Sequence, residues 1–266
     1  MTTAGPRMRN EASTTARLEF DGSWSAAVTG EPLDLVPRLI GTSLIVSPYA
    51  DRVERERFFA DTFGSQDWLW DLPDIFRFAP GDRRLVGAEF RIPEEAASAE
   101  DSARVPDMPG IRPGGLQADE VKDFRHEMCT VLCRAPGDAV LTCLRDLDVL
   151  DEPLEARIGI APDVALLVQH GTVVGWSITD PARYLTAGFT APDPAPPVPA
   201  TRRLLTECLD LVTVVPVVDG LVDGEPAALA RLQAADRALR EQCEDRHRAD
   251  ALLELIATYV EDYGNR

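Results

Sequence analysis

The stretch VALLVQHGTVVGWSI, residues 164–178, decides the reading of this chain. Two apolar runs, Val164–Gln169 and Thr172–Ile178, are separated by His170 and Gly171, a pair suited to the positive φ angles of a two-residue turn. Each run is too short for a helix and rich in β-branched residues, so together they predict a β-hairpin. Strand-like runs at 139–144 and 154–160 precede it. Asp180 and Pro181 follow as the start of a short helix ending near Leu185.

Upstream, Leu18–Phe20 and Ser23–Ser25 flank Asp21-Gly22, a second hairpin. Residues 75–78 and 85–92 flank Ala79-Pro80-Gly81-Asp82, a third. Thr42–Val46 reads as a buried strand. Ser47 and Pro48 then open a helix, with Tyr49, Val53, Phe59, Ala60 and Phe63 at helical spacing and Gly64 at its end. Residues 93–118 are acidic and then rich in Pro and Gly, which predicts a mobile insertion. A helix is expected from Asp119 to Arg134. Residues 191–200 (APDPAPPVPA) read as a semi-rigid spacer. Beyond the apolar stretch 204–222, the run Pro226–Tyr263 has no interior Gly or Pro and predicts one helix about 57 Å long.

The expected fold is therefore α+β. Antiparallel β-hairpins with flanking helices fill 16–190, after a flexible tail at 1–15. The spacer leads to a C-terminal helical module at 201–266 that contains the long helix.

Composition narrows the function. The 266 residues carry 27 basic and 45 acidic side chains, a net charge of −18. That balance argues against nucleic acid and against anionic membrane surfaces as partners. Lys122 is the single lysine, a bias that points to a GC-rich coding sequence and carries no functional weight. Cys129, Cys133, Cys143, Cys208 and Cys243 form no C-x-x-C pair. Residues 1–16 contain no apolar signal core, and no apolar run approaches the roughly 20 residues of a membrane span, so a cytoplasmic location is expected.

Four groups of residues are candidates for a site. On the expected 119–134 helix, His126, Cys129 and Cys133 share one face, where they could ligate zinc or pair as base and thiolate; burial in a second packing layer is the simpler account. Asp146 and Asp148, with Asp151 nearby, could share a cation if the chain there is extended, or could form an ordinary acidic loop. Trp68 and Trp70 could cover a pocket or a partner surface, whereas Trp176 belongs in the core. Leu255, Ile256 and Tyr259, with Leu252 and Val260, form an apolar stripe that either folds back on 204–222 or packs on another chain.

Phosphate-loop, dinucleotide-binding, metalloprotease and nucleophile-elbow motifs are absent, and no cofactor is indicated. The reading that follows is a non-catalytic acidic interaction protein, such as an inhibitor, immunity-type partner, chaperone or regulator. It would dock to another protein or self-associate through the C-terminal helix. The alternative is a small-molecule enzyme of a biosynthetic pathway with a pocket under the 93–118 loop.

The charge yields a first prediction: duplex DNA does not bind at physiological salt. Fluorescence anisotropy should stay flat on titration, and salt-dependent micromolar binding would contradict it.

Overall fold

The hairpin expected from residues 164–178 is present at the centre of the molecule. Val164–Gln169 pairs antiparallel with Thr172–Thr179, and His170 and Gly171 both take positive φ, 52° and 72°. The computed structural model describes residues 17–20, 24–65, 73–105 and 109–264. The turn residues Asp21 and Gly22, like Trp68 and Trp70, lie outside the described residues.

The first half of the chain supplies β1 (Arg17–Glu19), β2 (Ser25–Thr29), β3 (Arg38–Ile40), β4 (Ser43–Val46), α1 (Arg52–Asp61), β5 (Phe63–Gly64), β6 (Ile75–Phe78) and β7 (Leu85–Arg91). Then come α2 (Ala99–Ala103), β8 (Ile111–Pro113), β9 (Gly115–Ala118), β10 (Val131–Arg134), β11 (Val140–Leu144) and β12 (Ala156–Ala161). The central hairpin is β13 and β14. Helices α3 (Pro199–Thr213), α4 (Val215–Val222), α5 (Pro226–Glu241) and α6 (Arg246–Tyr263) complete the chain. The fold is α+β, as the sequence implies, with two mostly antiparallel sheets. Among the described residues no helix is long and apolar enough to cross a membrane.

The larger sheet has nine strands. Its main path runs β8-β12-β13-β14-β1-β2-β9, and β11 joins the far half of β14 and carries β10. The two ends of the path, β8 and β9, are separated in the chain by Gly114 alone, so the sheet closes on itself. The seam leaves no room for a side chain: a Cβ on Gly115 would lie 2.2 Å from the Glu31 carbonyl oxygen. Closure buries both faces of the inner strands, and all six residues of β13 are buried. That is why β13 reads as an unbroken apolar run rather than an alternating one.

The second sheet is five-stranded, in the order β3-β4-β7-β6-β5. It stacks its aromatic residues on the first sheet: Phe76 meets Phe20 at 5.1 Å between ring centroids, and Phe90 meets Trp176 at 5.1 Å. Its outer edges are met by single bridges. Thr186 N donates to Leu39 O beside β3, and Phe124 N donates to Gly64 O beside β5, both at 3.1 Å. Most apolar side chains of both sheets and of α3, α5 and α6 form one continuous buried cluster, and a smaller one lies on the other face of the large sheet.

Several expectations need correction. Residues 119–130 are not helical, and β10 follows them, paired with β11 through Leu132 and Cys143. Thr130, Val131 and two cysteines are poor helix formers, and an unpaired β11 edge makes strand pairing the better use of them. Helix α1 is capped by Asp51, not Ser47: Asp51 Oδ1 accepts from Glu54 N at 2.8 Å, and Glu54 returns to Ala50 N at 2.8 Å. This is a reciprocal cap built one turn later than expected. The 93–118 stretch contributes α2 and two strands, and Leu116 and Ala118 are core residues.

The expected long helix is two helices. Arg246 stands in for a helix-stopping glycine: its Nη1 donates to Leu239 O and Arg240 O, both at 3.1 Å, which satisfies the last carbonyls of α5. Helix α6 then turns back along α5, so that Gln233 Nε2 reaches Gly264 O at 3.1 Å. The fold-back puts Leu252 and Ile256 fully in the core, with Leu255, Tyr259 and Val260 packed half-buried at its margin. The apolar stripe thus lies against its own chain.

The break also places a buried ion pair. Arg248 donates to Asp245 Oδ1 at 3.0 Å and to the carbonyls of Asp193 and Ala195 at 2.8 and 2.6 Å. Asp245 Oδ2 accepts from Thr201 Oγ1 at 2.8 Å. The cluster ties the proline-rich 191–200 stretch to α3 and α6. Replacing Asp245 by Ala strands a guanidinium whose side chain is 1% exposed. Urea denaturation should show a loss of about 3–5 kcal/mol.

Candidate functional site

With the 119–134 helix gone, the three expected ligands separate. His126 is buried between the rings of Phe20 and Phe76, at 5.4 and 5.2 Å between centroids. Its Nδ1 is buried without a partner. Cys129 Sγ donates to Asp74 Oδ2 at 3.4 Å and lies 3.5 Å from Cys143 O. Cys133 belongs to a different apolar cluster, on the outer face of the large sheet with Leu144, Leu167 and Val174. Among the described residues no group of three or more His, Cys, Asp or Glu could hold a metal ion.

Asp74 is the residue that sequence reasoning missed. It stands immediately before the wholly buried strand β6, and a lone acid opening an apolar run was its only trace. Burial raises its pKa from 3.8 to about 7, against the pull of the Arg91 N–H at 3.0 Å. Burial lowers His126 from 6.5 to about 4, helped by the Arg145 cation. Burial pushes the Cys129 and Cys143 thiols well up, Cys133 to about 11 and Cys208 to about 12. At neutral pH this corner holds a neutral imidazole and protonated thiols, so it offers neither a thiolate nucleophile nor a base tuned near pH 7 other than Asp74 itself.

The aspartates of 146–151 are also separated. Residues 147–151 form a 3₁₀ turn rather than an extended chain. Asp146 pairs with Arg145 at 3.2 Å and Asp151 with Arg104 at 2.6 Å. At the hairpin tip, His170 is exposed and hydrogen-bonds Glu152 at 2.6 Å.

A concavity larger than the one beside His126 and Cys129 lies between the outer face of the large sheet and residues 96–105. This wall is firmly placed. Ala97 N donates to Leu132 O, and Leu132 N to Glu95 O, both at 2.9 Å. Ser98 caps α2 by accepting from Asp101 N at 3.0 Å, and Arg104 bridges Asp101 to Asp151. The wall presents Ala96, Ala97, Ala99 and Ala103 to the sheet, and side chains that small leave a groove of about 700 Å³ above Cys133, Val140, Thr142 and Arg157.

Two arginines line this groove, in opposite states. Arg134 is neutralised by Asp138 at 2.7 and 2.8 Å and by Asp210 at 2.5 Å. Arg157 has no carboxylate within ion-pair distance among the described residues. One Nη lies 3.4 Å from Ser177 Oγ, and its Nε is buried without a partner. Burial pulls its pKa down from 12.5, yet a guanidinium keeps its charge in proteins. The groove therefore combines apolar walls with an uncompensated cation on its floor. In the sequence, Arg157 shows only as the single charged position inside the apolar strand β12.

The two buried titrating groups give a pH prediction. Between pH about 4 and about 7 the folded protein keeps a proton on Asp74 that the unfolded chain releases, so this carboxyl withdraws stability as pH rises. Between about 6.5 and about 4 the unfolded chain takes up a proton that His126 refuses when folded, so the imidazole withdraws stability as pH falls. The two slopes oppose one another. Asp74→Asn should therefore be more stable than the parent above about pH 7, by an amount of the order of a few kcal/mol, with the advantage shrinking toward about pH 4. Urea midpoints across that range check it; a pH-independent difference would contradict it.

Comparison with known proteins adds no assignment: no family model, no curated protein and no solved structure matches this chain.

Proposed function

We propose that the protein is a non-catalytic interaction protein that works by binding, and that its binding centre is the groove under residues 96–105. The carrying observation is the pairing of an apolar concavity of about 700 Å³ with an unpaired guanidinium. Concave, mostly apolar sites with few placed polar groups are the usual form of a binding pocket. The alternative, a small-molecule enzyme with its pocket under the 93–118 loop, would use the same groove; of its candidate residues Cys133 lines it as a protonated thiol, whereas His126 and Cys129 lie outside its lining.

The groove is preferred to the α6 stripe as the binding centre because Leu252 and Ile256 are buried in the protein's own core. The −18 charge repels polyanions, so the single unpaired cation of the groove suits a ligand of low charge.

Native mass spectrometry after incubation with cell extract tests this reading. The parent should retain a bound species whose mass does not change with time, and Ala99→Trp, which fills the groove, should lose it. A bound species that is chemically converted during incubation would favour the enzyme reading. Equal retention by both proteins would remove the groove from the function.

A further inference from the structure

The chemistry of the groove specifies its ligand further, and this step rests on the reading that the protein acts by binding. We propose that the groove takes a free aliphatic monocarboxylate, a fatty-acid-like molecule, with the carboxylate on Arg157 and the hydrocarbon chain along the alanine wall.

Three observations carry the assignment. First, Arg157 lines the groove half-exposed, with no carboxylate within ion-pair distance among the described residues and one Nη 3.4 Å from the Ser177 hydroxyl. A carboxylate in the groove would accept from the Nη end of the guanidinium, since Nε is closed off within the protein. Among the described residues no carboxylate reaches it, so an anion entering the groove would meet a charge that is not already neutralised.

Second, the walls are hydrocarbon. Ala96, Ala97, Ala99, Ala103, Val105 and Val140 offer methyl groups and almost no hydrogen-bonding partners. A peptide laid there would strand its amides, because the neighbouring β10 edge is already taken: Leu132 bonds to Glu95 and Ala97, and Arg134 N donates to Ser102 Oγ at 3.4 Å. An alkyl chain has no such groups to satisfy, and the volume of about 700 Å³ is that of a small-molecule site.

Third, there is one unpaired guanidinium in the groove, since Arg134 is already neutralised by Asp138 and Asp210. In the field of a chain carrying −18, one such cation suits a single negative charge and disfavours phosphates.

Isothermal titration calorimetry with octanoate, decanoate, decanol, inorganic phosphate and an apolar tripeptide with a free C-terminus tests the proposal. Decanoate should bind, with affinity rising about fourfold for each methylene added from octanoate. Decanol should bind about tenfold to a hundredfold more weakly, and phosphate not at all. Arg157→Leu should bind decanoate no better than decanol while melting no lower than the parent, which separates lost recognition from lost folding. Ala99→Trp should weaken acid and alcohol alike. No binding of either acid, acid binding undiminished in Arg157→Leu, or a tripeptide that outcompetes decanoate would each overturn the proposal. Decanoate recovered in chemically altered form would instead overturn the non-catalytic reading and leave the ligand class standing.

Discussion

A sheet that closes on itself must be coated twice. Once β8 and β9 meet through Gly114, the central strands have no solvent face, and β13 is buried along its whole length. The inner coat is made of large rings and branched chains: Trp176, Phe76, Phe90 and the leucines of the C-terminal helices. The outer coat is thinner. It consists of the 147–151 turn and the 96–105 wall, whose sheet-facing residues are mostly alanine. The groove is the space that alanine leaves where leucine would have filled it, so the candidate site follows from the closure and from the economy of its cover.

Buried charge is treated in four different ways in this molecule, and the differences rank the candidate sites. Arg248 is buried with its charge met by Asp245 and its Nη2 by backbone carbonyls, although its Nε has no partner. Asp74 keeps a proton to near neutrality, and His126 gives its proton up. In these three the charge itself is removed or paired within the chain. Arg157, only half-buried, keeps its charge and has no carboxylate within ion-pair distance among the described residues. It is the group whose state is completed best by something from outside, which is why the groove and not the His126–Cys129 corner is taken as the working site.

What the sequence made legible was what is decided locally. The hairpins at 17–29, 75–91 and 164–179 follow from turn chemistry and β-branched runs. Residues 119–134 misled because Phe124, Met128, Val131 and Leu132 fall at helical spacing, while the deciding partner, β11, is engaged by a different set of hydrogen bonds along an edge. The 93–118 stretch reads as unstructured by composition, yet its described residues are held by backbone bonds between Leu132 and residues 95–97 and by pairing of β8 with β12 and β9 with β2, which no composition reveals. The break after Glu241 left no glycine or proline because Arg246, a residue of the next helix, does the capping. Asp74 and Arg157 were each visible only as one charge beside or within an apolar run, too slight a mark to distinguish a site from a surface residue.

The treatment of strand edges has a consequence for how this protein meets others. The closed sheet spends most of its edges on itself, and its short outer strand β8 ends in Pro113, which has no N–H to offer. The smaller sheet has both margins occupied, by Leu185–Thr186 on one side and Phe124 on the other. A partner therefore finds little main chain to extend, and strand-by-strand growth into fibres or swapped dimers has few places to begin. Recognition is left to side chains and shape, which are easier to make selective than a ladder of backbone bonds that any extended peptide can join.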